Sequence, residues 1–206
     1  MTAAEIFRND FRLIADLVPE GSRVLDLGCG DGSLLELLRR ERAAEVRGVE
    51  LSLAGVAACV ARGLSVFQGD LDTGLNDFLD GSFDVVILSQ TLQVVRHPKL
   101  VMEEMLRVGR LGIVSFPNFG YWRTRAKLTL TGRMPVNRSI PYSWYDTPNI
   151  HHTTIKDFRS FCVDVGAEVE REIALVAAPG ESGRQIGVLT NLLADTAVFA
   201  LRRGAD

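Results

Sequence analysis

The stretch Val24-Leu25-Asp26-Leu27-Gly28-Cys29-Gly30-Asp31-Gly32-Ser33 joins an apolar run, an acid and a glycine-rich turn. Glycines placed after a strand permit positive φ and let a ligand approach the main chain without meeting a Cβ. The spacing here is Gly-x-Gly-x-Gly, and Ser33 stands where a dinucleotide fingerprint places its third glycine, which disfavours NAD or FAD and an NAD-linked oxidoreductase. Asp26 sits just before the turn, where a carboxylate suits a cationic amine better than a pyrophosphate. Glu50 ends the next apolar run, where a carboxylate can accept both hydroxyls of a ribose. Asp70, within Gln68-Gly69-Asp70-Leu71, is placed to take an adenine amino group, and Ser89-Gln90 ends a further run. Each residue alone has a plain alternative: a tight turn, a helix-end charge, a surface acid, an Asp in a turn. Together, four separate stretches aim polar groups at one edge of a sheet.

The elements that would position these groups follow from periodicity. Phe7, Phe11, Ile14 and Val18 recur at helical spacing before Pro19-Glu20-Gly21 ends the pattern. Strands are expected over 23–27, 46–49, 64–68, 83–88 and 112–116, with helices near 34–40, 52–61 and 99–107 between them. Strands alternating with helices imply crossover connections and a parallel sheet. Thr154 with Asp157 resembles a capping box opening a helix to about residue 165, although Asp replaces the usual Glu or Gln. Residues 168–176 and 196–202 read as two more strands with no full helical crossover between them, so the last of seven strands is expected to run antiparallel. In such sheets ligands bind at the carboxyl edge, near the point where strand order reverses.

Composition bounds the function. The chain has 206 residues, which suits one α/β domain over 1–206. A net charge of −3 gives no broad basic field for nucleic acid. Three scattered cysteines, Cys29, Cys59 and Cys162, argue for a reducing compartment rather than a disulfide framework. No apolar run is long enough to span a bilayer, and Glu5, Arg8 and Asp10 keep the N-terminus from reading as a signal peptide, so a cytoplasmic location is expected.

The stretches VLDLGCGDG, RGVELS, QGDL and FDVVILSQTLQVV resemble the class I S-adenosylmethionine (SAM)-dependent methyltransferases. Within that superfamily, SQTLQVVRHP, SFPNFGYWRTR, GRMPV and PYSWYDTPNIHH resemble the family of the methionine biosynthesis protein MetW, over nearly the whole chain. The resemblance implies a Rossmann-like methyltransferase fold: α/β, mostly parallel, with an antiparallel last strand and helices on both faces. It implies SAM or its demethylated product, S-adenosylhomocysteine, as ligand. Asp26, Gly28, Cys29 and Gly30 would line its amino-acid end, and Glu50 would hold the ribose. Leu51, Gly69, Asp70 and Leu71 would lie by the adenine, with Ser89 near the methionine moiety. The family association further implies a homoserine O-acyltransferase as partner, with a SAM sensor or activator role in methionine synthesis. The alternative is an active methyltransferase on a small-molecule acceptor.

Residues 119–150 are expected to form a lid, or a face turned to a partner or acceptor. They hold Tyr121, Trp122, Tyr142, Trp144 and Tyr145, with Arg123, Arg125, Lys127, Arg133 and Arg138 against a lone Asp146. His151, His152 and Tyr142 are the candidates for proton transfer; the histidines could equally cap or hydrogen-bond a loop. Adjacent histidines point in different directions and no third ligand is near, so no metal site is expected. His97, before Pro98, belongs to a turn or helix start, and Cys29 has no base beside it in sequence.

Overall fold

The computed structural model describes residues 3–137, 139–176 and 184–204, with side chains from Asp10 onward. Arg138 and the Phe7 side chain lie outside the described residues. The element order begins α1 (Ala3–Leu17), β1 (Arg23–Leu27), α2 (Ser33–Arg42), β2 (Glu45–Glu50), α3 (Leu53–Ala61) and β3 (Ser65–Gln68). It continues with β4 (Phe83–Ser89), α4 (Pro98–Val108), β5 (Gly109–Pro117), α5 (Trp122–Thr131) and α6 (Ile155–Asp164). The chain closes with β6 (Ala167–Val176), β7 (Arg184–Ile186), α7 (Thr190–Leu193) and β8 (Thr196–Arg203).

The strands form one sheet in the order β3-β2-β1-β4-β5-β8-β6-β7. The pairs β3–β2, β2–β1, β1–β4 and β4–β5 are parallel, while β8 runs antiparallel to both β5 and β6. Among the described residues the sheet has eight strands rather than the seven expected. The extra one, Arg184–Ile186, is a three-residue edge strand on β6, too short and too polar to give a period-2 signal.

Central strands are covered on both faces and so read as unbroken apolar runs. Ile14, Leu34 and Leu38 from α1 and α2, with Val18 just after α1, pack on one face with Val24, Val85 and Ile87. Met102, Met105, Ile155 and Phe158 from α4 and α6 pack on the other with Leu25, Leu88 and Phe116. Helix starts follow local chemistry. Ser52 Oγ accepts the Gly55 N–H at 3.1 Å, and Pro98 supplies the first residue of α4. Thr154 Oγ1 accepts the Asp157 N–H at 3.2 Å. The Thr154 hydroxyl donates to the Asp157 carboxylate at 2.7 Å; being one methylene shorter than Glu, Asp157 meets the hydroxyl instead of the main chain.

Candidate functional site

Strand order reverses between β1 and β4, so the loops leaving these strands bound a crevice at the carboxyl edge. Gly28 opens the first loop with φ +76°, and a Cβ there would sit 2.7 Å from Thr91 Cγ2 and Oγ1. Two separate constraints therefore demand glycine: a left-handed backbone and a close neighbour from the β4 loop. Gly30 has φ +57° and open space around its Cα. The loop is bound to β2: the Gly28 and Cys29 N–H groups donate to Val49 O at 2.8 and 3.1 Å. Gly30 N–H donates to Glu50 Oε2 at 2.9 Å, and Ser52 N–H donates to Glu50 Oε1 at 2.8 Å. A carboxylate offers about four lone-pair sites, so Glu50 keeps acceptor capacity for a diol while it anchors the loop.

Asp26 is 2% exposed, and its Oδ1 is buried without a hydrogen-bond partner. Burial, helped by the negative charge of Glu50, pushes its carboxyl up to about 7. A carboxylate so placed, lining an open crevice, is poised to receive a cation. Burial also pushes the Cys29 thiol up, as does the charge of Asp26, so Cys29 is no thiolate nucleophile.

The crevice encloses about 1050 Å³. Asp26, Gly28, Cys29, Gly30 and Ser89 line it together, with Gln90, Thr91 and Phe11. Glu50 joins them through Gly30. Leu51 follows Glu50 and is 63% exposed. Gly69 N–H donates to Glu50 O at 3.2 Å, bringing the end of β3 alongside that of β2. Asp70 Oδ1 accepts the Asp72 N–H at 3.0 Å and caps a short 3-10 turn, while Leu71 is buried in the core.

Sequence reading missed Asp10. It is 4% exposed, and its Oδ2 accepts Gln90 Nε2 at 3.3 Å and Ser115 Oγ at 3.2 Å. Burial pushes its carboxyl up to about 6, against the hydrogen bonds from Gln90 and Ser115. A signal existed: Asp10 stands four residues before Ile14 and so shares the buried stripe of α1. Gln90, a non-glycine with φ +50°, is held by its N–H to Ser115 O at 2.9 Å. A strained backbone at a crevice is a common mark of a functional position.

The other candidates sit apart. His152 is exposed and stacks on Phe119 with ring centroids 4.6 Å apart. His151 N–H donates to Gln93 O at 3.1 Å. His97 N–H donates to the Asp72 carboxylate at 2.7 Å, at the start of α4. Tyr142, Trp144 and Tyr145 are 40%, 74% and 75% exposed, and residues 119–150 contribute none of the described lining of the crevice. Among the described residues, no group of three or more His, Cys, Asp or Glu is placed to hold a metal ion, and no helix is long and apolar enough to cross a membrane.

Comparison with known proteins identifies the family and the fold. The model of the family described as methionine biosynthesis protein MetW matches residues 8–201. The chain is 38% identical over 203 residues to the bifunctional methionine biosynthesis protein MetXA/MetW of Rhodopirellula baltica, covering 94% of this chain and 32% of that protein. It is 36% identical over 143 residues to the demethylmenaquinone methyltransferase of Renibacterium salmoninarum, covering 62% of this chain and 58% of that one. The chain thus spans about a third of the first relative and little more than half of the second. Among solved structures, it is similar to a SAM-dependent methyltransferase of Thermotoga maritima, a possible histamine N-methyltransferase, with TM-score 0.71 and 17% identity over 96% of this chain and 88% of that one. It is also similar to the magnesium protoporphyrin IX methyltransferase of Synechocystis with bound SAH, with TM-score 0.61 and 20% identity over 97% of this chain and 83% of that one. These likenesses show the methyltransferase fold.

Proposed function

The chain belongs to the MetW family of methionine biosynthesis proteins, and from that premise we propose that it binds SAM and acts with a homoserine O-acyltransferase as an accessory or activating subunit. The observation that carries SAM binding is the buried, unpartnered Asp26 Oδ1 beside Glu50 at the carboxyl edge. The ligand's ammonium would complete Asp26, and its ribose hydroxyls would take the remaining lone pairs of Glu50. Gly28 and Gly30 leave the main chain open to its amino-acid end. In this reading Asp70 and exposed Leu51 would lie by the adenine, and Ser89, in the crevice lining, would lie by the methionine moiety.

Partnership is supported by the name of the bifunctional relative, which joins MetXA and MetW in one chain. The surface we assign to that partner is the 119–150 segment. It leaves Trp144, Tyr145 and Leu130 exposed in the same segment as Arg123, Arg125, Lys127 and Arg133. Large exposed aromatic and aliphatic side chains next to arginines are the usual make-up of interface anchors. Three buried free cysteines support a reducing, cytoplasmic setting.

The deciding experiment is calorimetric titration of the purified protein with SAM and SAH, with and without the acyltransferase. SAM binding that changes when the acyltransferase is added supports a coupled accessory, because linkage acts in both directions. Failure of the two proteins to associate or to alter each other's activity overturns the partnership. The second reading is an active methyltransferase on a small-molecule acceptor, supported by the likeness to demethylmenaquinone methyltransferase. Methyl transfer from a sulfonium needs mainly positioning, so the lack of an assigned base is compatible with it.

A further inference from the structure

The polar groups behind the crevice form a hydrogen-bonded chain with a fixed direction. Asp10 of α1 is buried, and above about pH 6 its carboxyl is ionised, so it can only accept. Its Oδ2 takes Ser115 Oγ at 3.2 Å and Gln90 Nε2 at 3.3 Å. A hydroxyl has one proton, and Ser115 gives it to Asp10. Ser115 Oγ is therefore an acceptor toward its other neighbours, and it takes the Gln90 main-chain N–H at 3.2 Å. Ser89 Oγ lies 3.2 Å from Ser115 Oγ and must be the donor of that pair. Two consequences reach the crevice, which Ser89 and Gln90 both line. Ser89, with its proton turned inward, keeps only lone pairs for the crevice. Gln90 turns its NH2 toward Asp10 and Ser115, and the amide oxygen left over, Oε1, is neither buried nor hydrogen-bonded among the described residues.

We propose that Asp10 is a positioning residue: acting through Ser115 and the Gln90 amide, it makes the β4 end of the crevice a pair of hydrogen-bond acceptors that select a ligand amino group. This rests on the SAM reading and deepens it, by naming what recognises the amino-acid end besides Asp26. β4 pairs with β1, with Ile87 beside Asp26, so Ser89 and Gln90 leave the sheet next to that carboxylate. An ammonium carries three donors and can serve Asp26, Gln90 Oε1 and Ser89 Oγ together. A hydroxyl in its place has one proton and leaves two of the three unpaired. Asp10 is not among the crevice lining, so it acts on the ligand only through the groups it orients. Without it the Ser115 proton is free to turn toward Ser89, and the Gln90 amide is free to present its NH2 to the cation. The left-handed backbone of Gln90, φ +50°, is held by the same neighbour, since its N–H also donates to Ser115 O at 2.9 Å.

The test is a double-mutant cycle on the full chain at pH 8, where Asp10 is ionised. Calorimetry measures the affinity for SAH, and for methylthioadenosine, which keeps the adenine, ribose and sulfur but lacks the amino-acid group. Asp10→Leu and Gln90→Met, each checked for folding by circular dichroism, should each weaken SAH binding about tenfold. The double variant should lose little more than either single one, because Asp10 acts through Gln90. Affinity for methylthioadenosine should stay within about twofold of the wild type throughout. A merely structural role for Asp10 gives a different pattern: the losses multiply in the double variant, or both ligands weaken alike. Either result overturns the proposal, as does wild-type SAH affinity in both folded single variants. A wild-type protein that binds no SAH overturns the SAM reading and this inference with it, whereas wild-type binding with unaffected variants overturns this inference alone.

Discussion

The Gly30 N–H donates to Glu50 Oε2 at 2.9 Å, so the carboxylate that ends β2 holds the loop that leaves β1. The partner oxygen accepts Ser52 N–H at 2.8 Å, at the cap of α3. One side chain thus couples the glycine loop, a strand end and a helix start. The crowding around it is tight: a Cβ on Gly55 would lie 2.7 Å from Glu50 Cγ and 2.8 Å from Gly30 O.

Glu50→Ala should therefore weaken SAM binding and also loosen the loop. Loss of a charged hydrogen-bond partner costs about 1.5–3 kcal/mol, on the order of a tenfold to hundredfold loss of affinity. Calorimetry with SAM reads the affinity, and hydrogen exchange at the Gly30 amide reads the loop. Unchanged exchange at Gly30 would refute the anchoring role.

Asp26 gives a pH signature. Its carboxyl ionises near 7 in the fold, against 3.8 for the ordinary side chain, so the folded state keeps a proton that the unfolded chain has already lost. The stability it contributes is present below pH 3.8 and is lost as pH rises to about 7, a span worth on the order of 4 kcal/mol. Asp10, pushed up to about 6, adds a decline of the same sign. Asp26→Asn should flatten the Asp26 part of this decline and raise the melting temperature of the free protein at pH 8. The same substitution should abolish tight SAM binding. In the wild type, SAM affinity should fall below pH 7, because its ammonium needs the ionised carboxylate, and binding near pH 7 should release a proton. Calorimetry in buffers of different ionisation enthalpy measures that proton directly.

Two glycines of one loop should respond differently to the same substitution. Gly30→Ala faces open space and bears only the cost of a left-handed backbone, about 1–2 kcal/mol. Gly28→Ala adds a contact at 2.7 Å with Thr91 and should cost a further ~1–3 kcal/mol. Combining Gly28→Ala with Thr91→Ala should recover part of that excess and none of the backbone cost. Urea unfolding of the single and double variants checks this, and additive energies would show that the Thr91 contact is not the source.

The thiols should be quiet in the native protein. Cys29 and Cys59 lie with their sulfurs 3.8 Å apart and buried, and burial pushes Cys162 up to about 12. A thiol reagent at pH 8 should label them slowly when folded and fully once unfolded in guanidinium. Fast labelling of Cys29 in the folded protein would mean that the glycine loop opens readily.

Trp144→Ala with Tyr145→Ala should reduce association with the acyltransferase at least tenfold while leaving SAM affinity unchanged, since neither residue lines the crevice. Analytical ultracentrifugation of the mixture tests the first part and calorimetry the second.

Sequence alone determined the alternation of strands and helices, the glycine turn after β1 and the strand-end positions of Asp26, Glu50 and Ser89. It also determined the cap at Thr154. These features are local: a period, a turn residue or a cap depends on residues a few places away, and a parallel sheet forces strand ends to one edge. Tertiary structure decided the rest. The Asp10–Gln90 hydrogen bond spans 80 residues, and β8 inserts between β5 and β6. The strand Arg184–Ile186 exists because β6 offers it an edge. Leu71 turns into the core although its neighbour Asp70 is exposed. Such contacts depend on which distant surfaces the sheet brings together, and no local pattern in the chain records that choice.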